Sequence, residues 1–374
     1  MKKIILVVGA RPNFMKIAPI MHALKGNSEL VPVLVHTGQH YDVKMSGQFF
    51  EELNIPAPNI NLEVGSASHA VQTAQIMMGF EQVCLDEKPD FVLVVGDVNS
   101  TLACTLVASK LHIKTIHYEA GLRSNDRTMP EEINRLVTDA VCDYFFTTSA
   151  DADENLLNEG VGQEKIFMVG NLMIDTLVAN LEKAKSSSGV FQLINRPEKL
   201  DLSTLQESGY GAMTFHRPSN VDTKKSLESL VDIWVKISEK IPLVFPIHPR
   251  TFKNLENFGL LEKINQPNIY LIEPQGYHSF INLVSSARFT LTDSGGIQEE
   301  TTYLNIPCLT VRPNTERPVT IWEGSNKLIK TAEIISEVEE ILAGNGKTGK
   351  TPKFWDGKSA ERIVNILTKL QHSE

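Results

Sequence analysis

Cysteine is scarce in this chain: four residues in 374, at 84, 104, 142 and 308, with no CxxC pair and no histidine at metal-ligand spacing. That excludes a disulfide scaffold and a thiolate zinc site, and the four are expected to be reduced core residues. Long apolar runs are missing as well, so no segment is expected to span a bilayer. The opening MKKIILVVGARP passes from a strand-like run into a loop without a signal-peptide cleavage pattern, which predicts a soluble, cytoplasmic chain. Nor is there an excess of basic charge. Thirty-six Lys and Arg against 45 Asp and Glu give a net charge of −9, which opposes nonspecific attraction to nucleic acid or an anionic membrane. Neither is an expected partner, and the basic residues that matter should be clustered. No GxGxxG follows the first strand and no tyrosine precedes a lysine by four, so NAD-dependent oxidation of a sugar has little support. A DxD at Asp151-Ala152-Asp153 follows Thr147-Thr148-Ser149 at a predicted helix start and reads as helix capping, not as a metal site. No metal and no cofactor is expected.

What is present is alternation. Strand-like runs at Lys3–Val8, Val31–His36, Asp90–Val95, Lys114–Tyr118, Tyr144–Thr148 and Ile166–Val169 are separated by helical stretches, which predicts a parallel sheet with helices on both faces. The polar stretches KAKSSSG and NRPEK, after a helix near 175–185, read as an interdomain connection. Alternation restarts with Gly211–Phe215, Leu243–Ile247, Ile269–Ile272, Phe289–Thr292 and Cys308–Thr310. The expectation is α/β, with two doubly wound Rossmann-like domains facing a central cleft.

In an open parallel sheet, ligands bind beyond the carboxyl ends of the strands. Here those positions carry Gly9-Ala10-Arg11-Pro12, Gly96-Asp97-Val98-Asn99, His117-Tyr118-Glu119-Ala120-Gly121-Leu122-Arg123, Phe215-His216-Arg217-Pro218 and Pro246-Ile247-His248-Pro249-Arg250. Singly, each has a structural reading as a cap, a surface cation or a satisfied histidine. Their agreement at six strand ends is harder to attribute to capping. Arg11 and Lys16 suit phosphate, whereas Asp97, Glu119 and Glu131 suit proton transfer. From spacing alone, Pro130-Glu131-Glu132 reads as a helix opening with proline in the first turn.

The sixth end is Leu291–Glu300, LTDSGGIQEE. Ser294-Gly295-Gly296 is expected to form a turn before a helix starting at Ile297. Backbone N–H groups at such a turn cradle an anion. Capping by Asp293 or Ser294 does not explain two adjacent glycines, each costing about 1 kcal/mol against alanine inside a helix.

Taken in order, GARPNFMKIAPI, GDVNSTLA, HYEAGLRS, MPEEINR, VGNLMIDT, FHRP, LTDSGGIQEE and NTERPV resemble the non-hydrolysing UDP-N-acetylglucosamine 2-epimerases over nearly the whole chain. The resemblance implies a GT-B fold, with residues 1–180 and 181–354 as the two domains and a helix at about 355–374 packing back on the first. It also implies a cytoplasmic homodimer that interconverts UDP-GlcNAc and UDP-ManNAc by eliminating UDP to a 2-acetamidoglucal and adding it back, in the service of surface polysaccharide synthesis. Asp97, Glu119, Glu131 and His216 match the family's acid/base positions. Arg11, Lys16, His248, Ser294, Gly295 and Gly296 match diphosphate positions, Glu300 the ribose carboxylate and Arg317 the TERP arginine, with Tyr277 assigned to the uracil side. Two departures stand out. Asn13 replaces a carboxylate common in the first loop. Gln39-His40 matches part of a substrate-activation site, but no Arg-Gln pair occurs near Ser66–Gln72. Epimerases of a related diacetamido uronic acid, hydrolysing epimerases and GT-B glycosyltransferases share much of this pattern.

Overall fold

The computed structural model describes residues 1–38, 54, 57–205 and 207–370, without the Arg11 side chain. The chain divides into two compact units, 1–179 with 353–374, and 180–352. The division falls inside the Leu172–Lys185 helix. The first unit is built on β1 (Lys2–Val8), β2 (Leu30–His36), β3 (Ile60–Asn61), β4 (Phe91–Val95), β5 (Lys114–Tyr118), β6 (Tyr144–Thr147) and β7 (Ile166–Met168). Its order is β3-β2-β1-β4-β5-β6-β7, with every pair parallel. Strand order reverses between β1 and β4, and a doubly wound sheet opens its ligand crevice at that switch. β4 is buried along its whole length, as a strand covered by helices on both faces must be.

The expected connection around residue 190 instead carries a two-stranded antiparallel ribbon, β8 (Val190–Gln192) and β9 (Lys199–Asp201). The second unit's sheet contains β10 (Gly211–Thr214), β11 (Leu243–Pro246), β12 (Ile269–Ile272), β13 (Phe289–Thr292), β14 (Cys308–Val311) and β15 (Asn326–Ile329). All its pairings are parallel in the order β12-β11-β10-β13-β14-β15, which puts its switch between β10 and β13. Both halves therefore have the Rossmann-like topology of the GT-B class.

The last helix, Ser359–Leu370, packs on the Arg11–Leu24 helix of the first unit. The Ala360 N–H donates to Asp175 Oδ2 at 2.7 Å, and Trp355 Nε1 donates to the Thr148 carbonyl at 2.9 Å. Cys84, Cys104 and Cys308 are free and buried, while Cys142 is half-buried and free. Burial pushes the Cys84 thiol up to about 12 and Cys308 to about 11, so neither is a nucleophile. No described helix is long and apolar enough to cross a membrane.

Trp234 anchors the second unit's core. It is fully buried, with Phe215 and Phe245 rings at 5.0 and 5.4 Å. Trp234→Ala is expected to destabilise the protein by about 3–5 kcal/mol in urea unfolding, as removal of a buried tryptophan does. A loss below about 1 kcal/mol would contradict this packing role.

Candidate active site

At the first switch point, the side chain of Asn13 ties β1 to β4. Its Oδ1 accepts the Gly9 and Ala10 N–H groups at 3.1 and 2.9 Å, while Nδ2 donates to the Val95 carbonyl at 3.2 Å. A carboxylate there would accept the first two bonds but not donate the third. The Asn13 departure thus has a physical consequence: the two strand ends are latched by a neutral group. Beside them, Lys16 Nζ lies 2.6 Å from Glu119 Oε2, with side chains only 7% and 4% exposed. Glu119 itself sits at φ +71°. A left-handed non-glycine residue costs about 1–2 kcal/mol, so tertiary contacts hold it there. Gly96, at φ +72°, completes this corner, because a Cβ would come within 3.3 Å of Glu119 Oε2.

Asp97 is held from the Pro130–Val141 helix. Arg135 Nη1 donates to Asp97 Oδ2 in a short ion pair, and Asn134 Nδ2 donates to the Asp97 carbonyl at 2.8 Å. The rest of the buried guanidinium grips Glu132 through Nε at 2.9 Å and Nη2 at 2.6 Å. Burial would raise the Glu132 pKa, but the Ser124 N–H and Arg135 outweigh it and lower the value. Glu131 opens the helix with Pro130 and is exposed. Behind the turn, His117 Nε2 lies 2.8 Å from the Gly96 carbonyl oxygen, and Nδ1 lies 2.5 Å from Asp139 Oδ1. Asp139 also meets Arg123 Nη1 at 2.8 Å. Its burial alone would raise its pKa, but His117 and Arg123 bring it below the usual carboxylate range.

At the second switch point the hub is Asp293, fully buried. Its carboxylate accepts the His216 N–H at 3.1 Å, the Arg217 N–H at 2.9 Å and Asn220 Nδ2 at 3.0 Å. It is committed to the loop after β10 and does not cap the helix that follows it. That helix runs from Gly295 to Leu304, starting before the Ile297 that glycine composition suggests. Gly295 and Gly296 occupy its first turn instead of a preceding loop, and Ser294, at the N-cap position, makes no side-chain cap bond. Amides of a first helical turn have no intrahelical acceptor. A Cβ on Gly295 would approach Glu316 Oε1 to 2.8 Å, whereas a Cβ on Gly296 would meet nothing within 4 Å. Protein packing therefore explains the first glycine and not the second.

Around this helix start, Arg312 pairs with Glu316 at 2.9 Å and Arg317 with Glu299 at 2.9 Å. Burial would raise Glu316, but Arg317 and Arg312 overcome it and bring its pKa to about 2. Tyr277 begins the Tyr277–Ser285 helix, with its ring buried. Burial, then the neighbouring Glu300 carboxylate, hold its phenol well above its ordinary range. His216 and His248 face each other with ring centroids 5.5 Å apart. His248 Nδ1 accepts the Arg250 N–H at 3.1 Å, which leaves Nε2 to carry the proton of the neutral ring.

The sequence-predicted residues thus form two groups. Lys16, Asp97 and Glu119 share the first switch point, with Glu131 at the mouth of the adjoining helix. His216, His248, Ser294, Gly295, Gly296, Glu300, Arg317 and Tyr277 belong to the second unit. Gln39 and His40 lie outside the described residues, as does the Arg11 side chain. Sequence reasoning missed Arg135 and Asp139, and read Asp293 only as a possible cap. Only the Glu132 to Arg135 spacing of three within one helix offered a local signal. Asp151 and Asp153 do lie in a first helical turn, although Ser149 makes no cap bond and Asp153 accepts from Thr147 Oγ1. Among the described residues no group of three or more His, Cys, Asp or Glu is arranged to hold a metal.

Burial lowers the pKa of His216 below 6.5 against the pull of Asp293, and Arg217, Arg250 and Arg312 add to the fall. Burial, His216 and Arg250 do the same to His248, with Asp293 opposing. The unfolded chain therefore takes up these protons first, so stability falls as pH drops below 6.5 and is regained above it. NMR titration is expected to give both imidazoles midpoints below 6.5. A midpoint above that value for either would contradict the electrostatics described.

A family model described as UDP-N-acetylglucosamine 2-epimerase matches residues 22–368. The chain is 44% identical over 370 residues to the UDP-N-acetylglucosamine 2-epimerase of Methanocaldococcus jannaschii, covering 98% of this chain and 99% of the relative. It is 37% identical over 372 residues to the UDP-2,3-diacetamido-2,3-dideoxy-D-glucuronate 2-epimerase of Pseudomonas aeruginosa, covering 98% and 100%. The crystal structure of the Methanocaldococcus jannaschii UDP-GlcNAc 2-epimerase with UDP-GlcNAc and UDP superposes with a TM-score of 0.85 at 42% identity, covering 98% of this chain and 99% of that one. On matches of this extent, the chain belongs to the UDP-N-acetylglucosamine 2-epimerase family.

Proposed function

We propose that this protein interconverts UDP-N-acetylglucosamine and UDP-N-acetylmannosamine by eliminating UDP and adding it back. The observation that carries the reading is the uncapped helix start at Gly295, where Gly296 has open space over it that the fold does not use. A helix N-terminus with free amides suits a diphosphate. The C2 proton of the sugar lies beside no carbonyl and is weakly acidic, so its removal is coupled to departure of a good leaving group. The C2–H proton passes to a base as the C1–O electron pair leaves with UDP, giving 2-acetamidoglucal. Re-addition of UDP with protonation from the opposite face inverts C2. Charge grows on the diphosphate as it departs, and donors aimed there lower the barrier.

In this reading Asp97, Glu119, Glu131 and His216 form the acid/base set. Arg11, Lys16, His248, Ser294, Gly295, Gly296 and Arg317 hold the diphosphate. Glu300 takes the ribose hydroxyls, and Tyr277 lies toward the uracil. We further propose a cytoplasmic homodimer supplying ManNAc units for surface polysaccharide. The Pseudomonas relative, by its name an epimerase of a diacetamido uronic acid nucleotide, supports that substrate as the second reading. Incubation with UDP-GlcNAc alone is expected to yield UDP-ManNAc by proton NMR. Free ManNAc would instead indicate hydrolysis, turnover only with an acceptor a glycosyltransferase, and turnover only of the diacetamido uronate the second reading.

Asp97→Asn and Glu119→Gln are each expected to cut kcat at least ~10²-fold with UDP affinity largely kept, as loss of a general acid or base does. Full activity in either variant removes that residue from the set. Gly296→Ala makes a sharper distinction. Alanine favours a helix by about 1 kcal/mol over glycine, so stability should hold or rise while UDP binding weakens at least ~10-fold. Unchanged UDP affinity in a calorimetric titration would sink the diphosphate assignment.

A further inference from the structure

We infer that Arg135 is the positioning residue of Asp97, fixing the direction of that carboxylate and keeping it anionic. The inference rests on the acid/base role proposed for Asp97. The Arg135 side chain is 2% exposed, and Glu132 already supplies a buried counter-charge at 2.6 Å. A purely structural pair would be complete there. Instead the remaining edge of the fork reaches Asp97 Oδ2, on a side chain 32% exposed at the end of β4. The preceding residue, Asn134, donates to the Asp97 carbonyl at 2.8 Å. Two consecutive helical residues therefore hold one acid by both its main chain and its side chain.

The guanidinium fork suits this double task. One planar group bonds Glu132 through Nε and Nη2, Ser124 Oγ through Nη2 at 3.2 Å, and Asp97 through Nη1. An ammonium is a single point charge and cannot span the same set. Glu132 in turn accepts the Ser124 and Asn125 N–H groups at 3.0 and 2.9 Å, so the arginine is itself oriented by the backbone. Among the described residues, the other ionisable groups around the turn are His117 behind Gly96, His69 against the Asn99 side chain, the Lys16–Glu119 pair beside it and Glu131 at the helix mouth. All are unchanged by substitution at 135.

An adjacent cation favours the ionised carboxylate, so removing it makes Asp97 easier to protonate. Arg135→Met is expected to lower kcat at least ~10-fold, to leave the UDP Kd within about twofold, and to move the acid limb of the pH–kcat profile to higher pH. Because this change also strips Glu132 of its partner, thermal unfolding is followed in parallel. Arg135→Lys serves as the milder variant, with a smaller loss of kcat, and decides the matter if the methionine variant does not fold. In an Asp97→Asn background either change should cost less than about twofold further, since residues acting through one another are not additive. Unchanged kcat and acid limb in the folded variants, or the same fold-loss in the Asp97→Asn background, would overturn the positioning role. Full activity of Asp97→Asn alone would instead remove the acid/base reading, and the inference with it.

Discussion

A charge drawn into the end of a parallel sheet must bring its partner with it, and this constraint organises both halves of the protein. Leaving a buried carboxylate or ammonium unpaired costs several kcal/mol, enough to consume much of a domain's net stability. Lys16 with Glu119, Arg135 with Glu132 and Asp97, and Arg123 with Asp139 are the first unit's answers. Asp293 is answered by backbone N–H groups, an amide and the His216 imidazole, whose Nδ1 lies 3.2 Å from its Oδ1. The pairing has a chemical by-product. Acids that are fixed in place beside a cation at a strand end are also pre-oriented for proton transfer.

Helix starts show the opposite economy. The Ser68 hydroxyl accepts the Val71 N–H and the Thr223 hydroxyl the Ser226 N–H, but such capping is not general, and the Asn99–Lys110, Pro130–Val141 and Tyr277–Ser285 helices start without it. The Gly295–Leu304 helix forgoes it and keeps two glycines in its first turn. Omitting a cap costs about 1 kcal/mol and each glycine a similar amount. Leu227, Leu230 and Trp234, on the Lys224–Ser238 helix, belong to the buried core over β10 and β11 that can bear such a cost. Gln298, in the next turn, donates to the Ser294 carbonyl and accepts from Thr315 Oγ1, tying the helix mouth to the segment that carries Glu316 and Arg317.

Legibility from sequence followed the range of the forces involved. The central strands were legible because full burial on both faces writes uninterrupted Val, Ile and Leu runs, as in β1 and β4. β15, sequence NKLI, was not, because its Asn326 is buried to bond Gln298 and Thr320 and interrupts the apolar signal. The β8–β9 ribbon hid in a polar segment of three-residue strands. Helix propensity argued that Gly295 and Gly296 precede the helix, and the tertiary setting overrode it. At the switch points the acids themselves could be listed from strand ends, but their partners could not. Arg135 is 38 residues from Asp97, and Asp139 is 22 from His117. Such pairings are written only in the fold.

The proposed reaction turns on one event, the breaking and remaking of the C2–H bond during loss and return of UDP. The most direct measurement is NMR of the product formed from UDP-GlcNAc in D2O. The expected product is UDP-ManNAc carrying deuterium at C2, because the proton taken from one face is not the one returned to the other. UDP-ManNAc that retained its original C2 hydrogen in full would contradict this route.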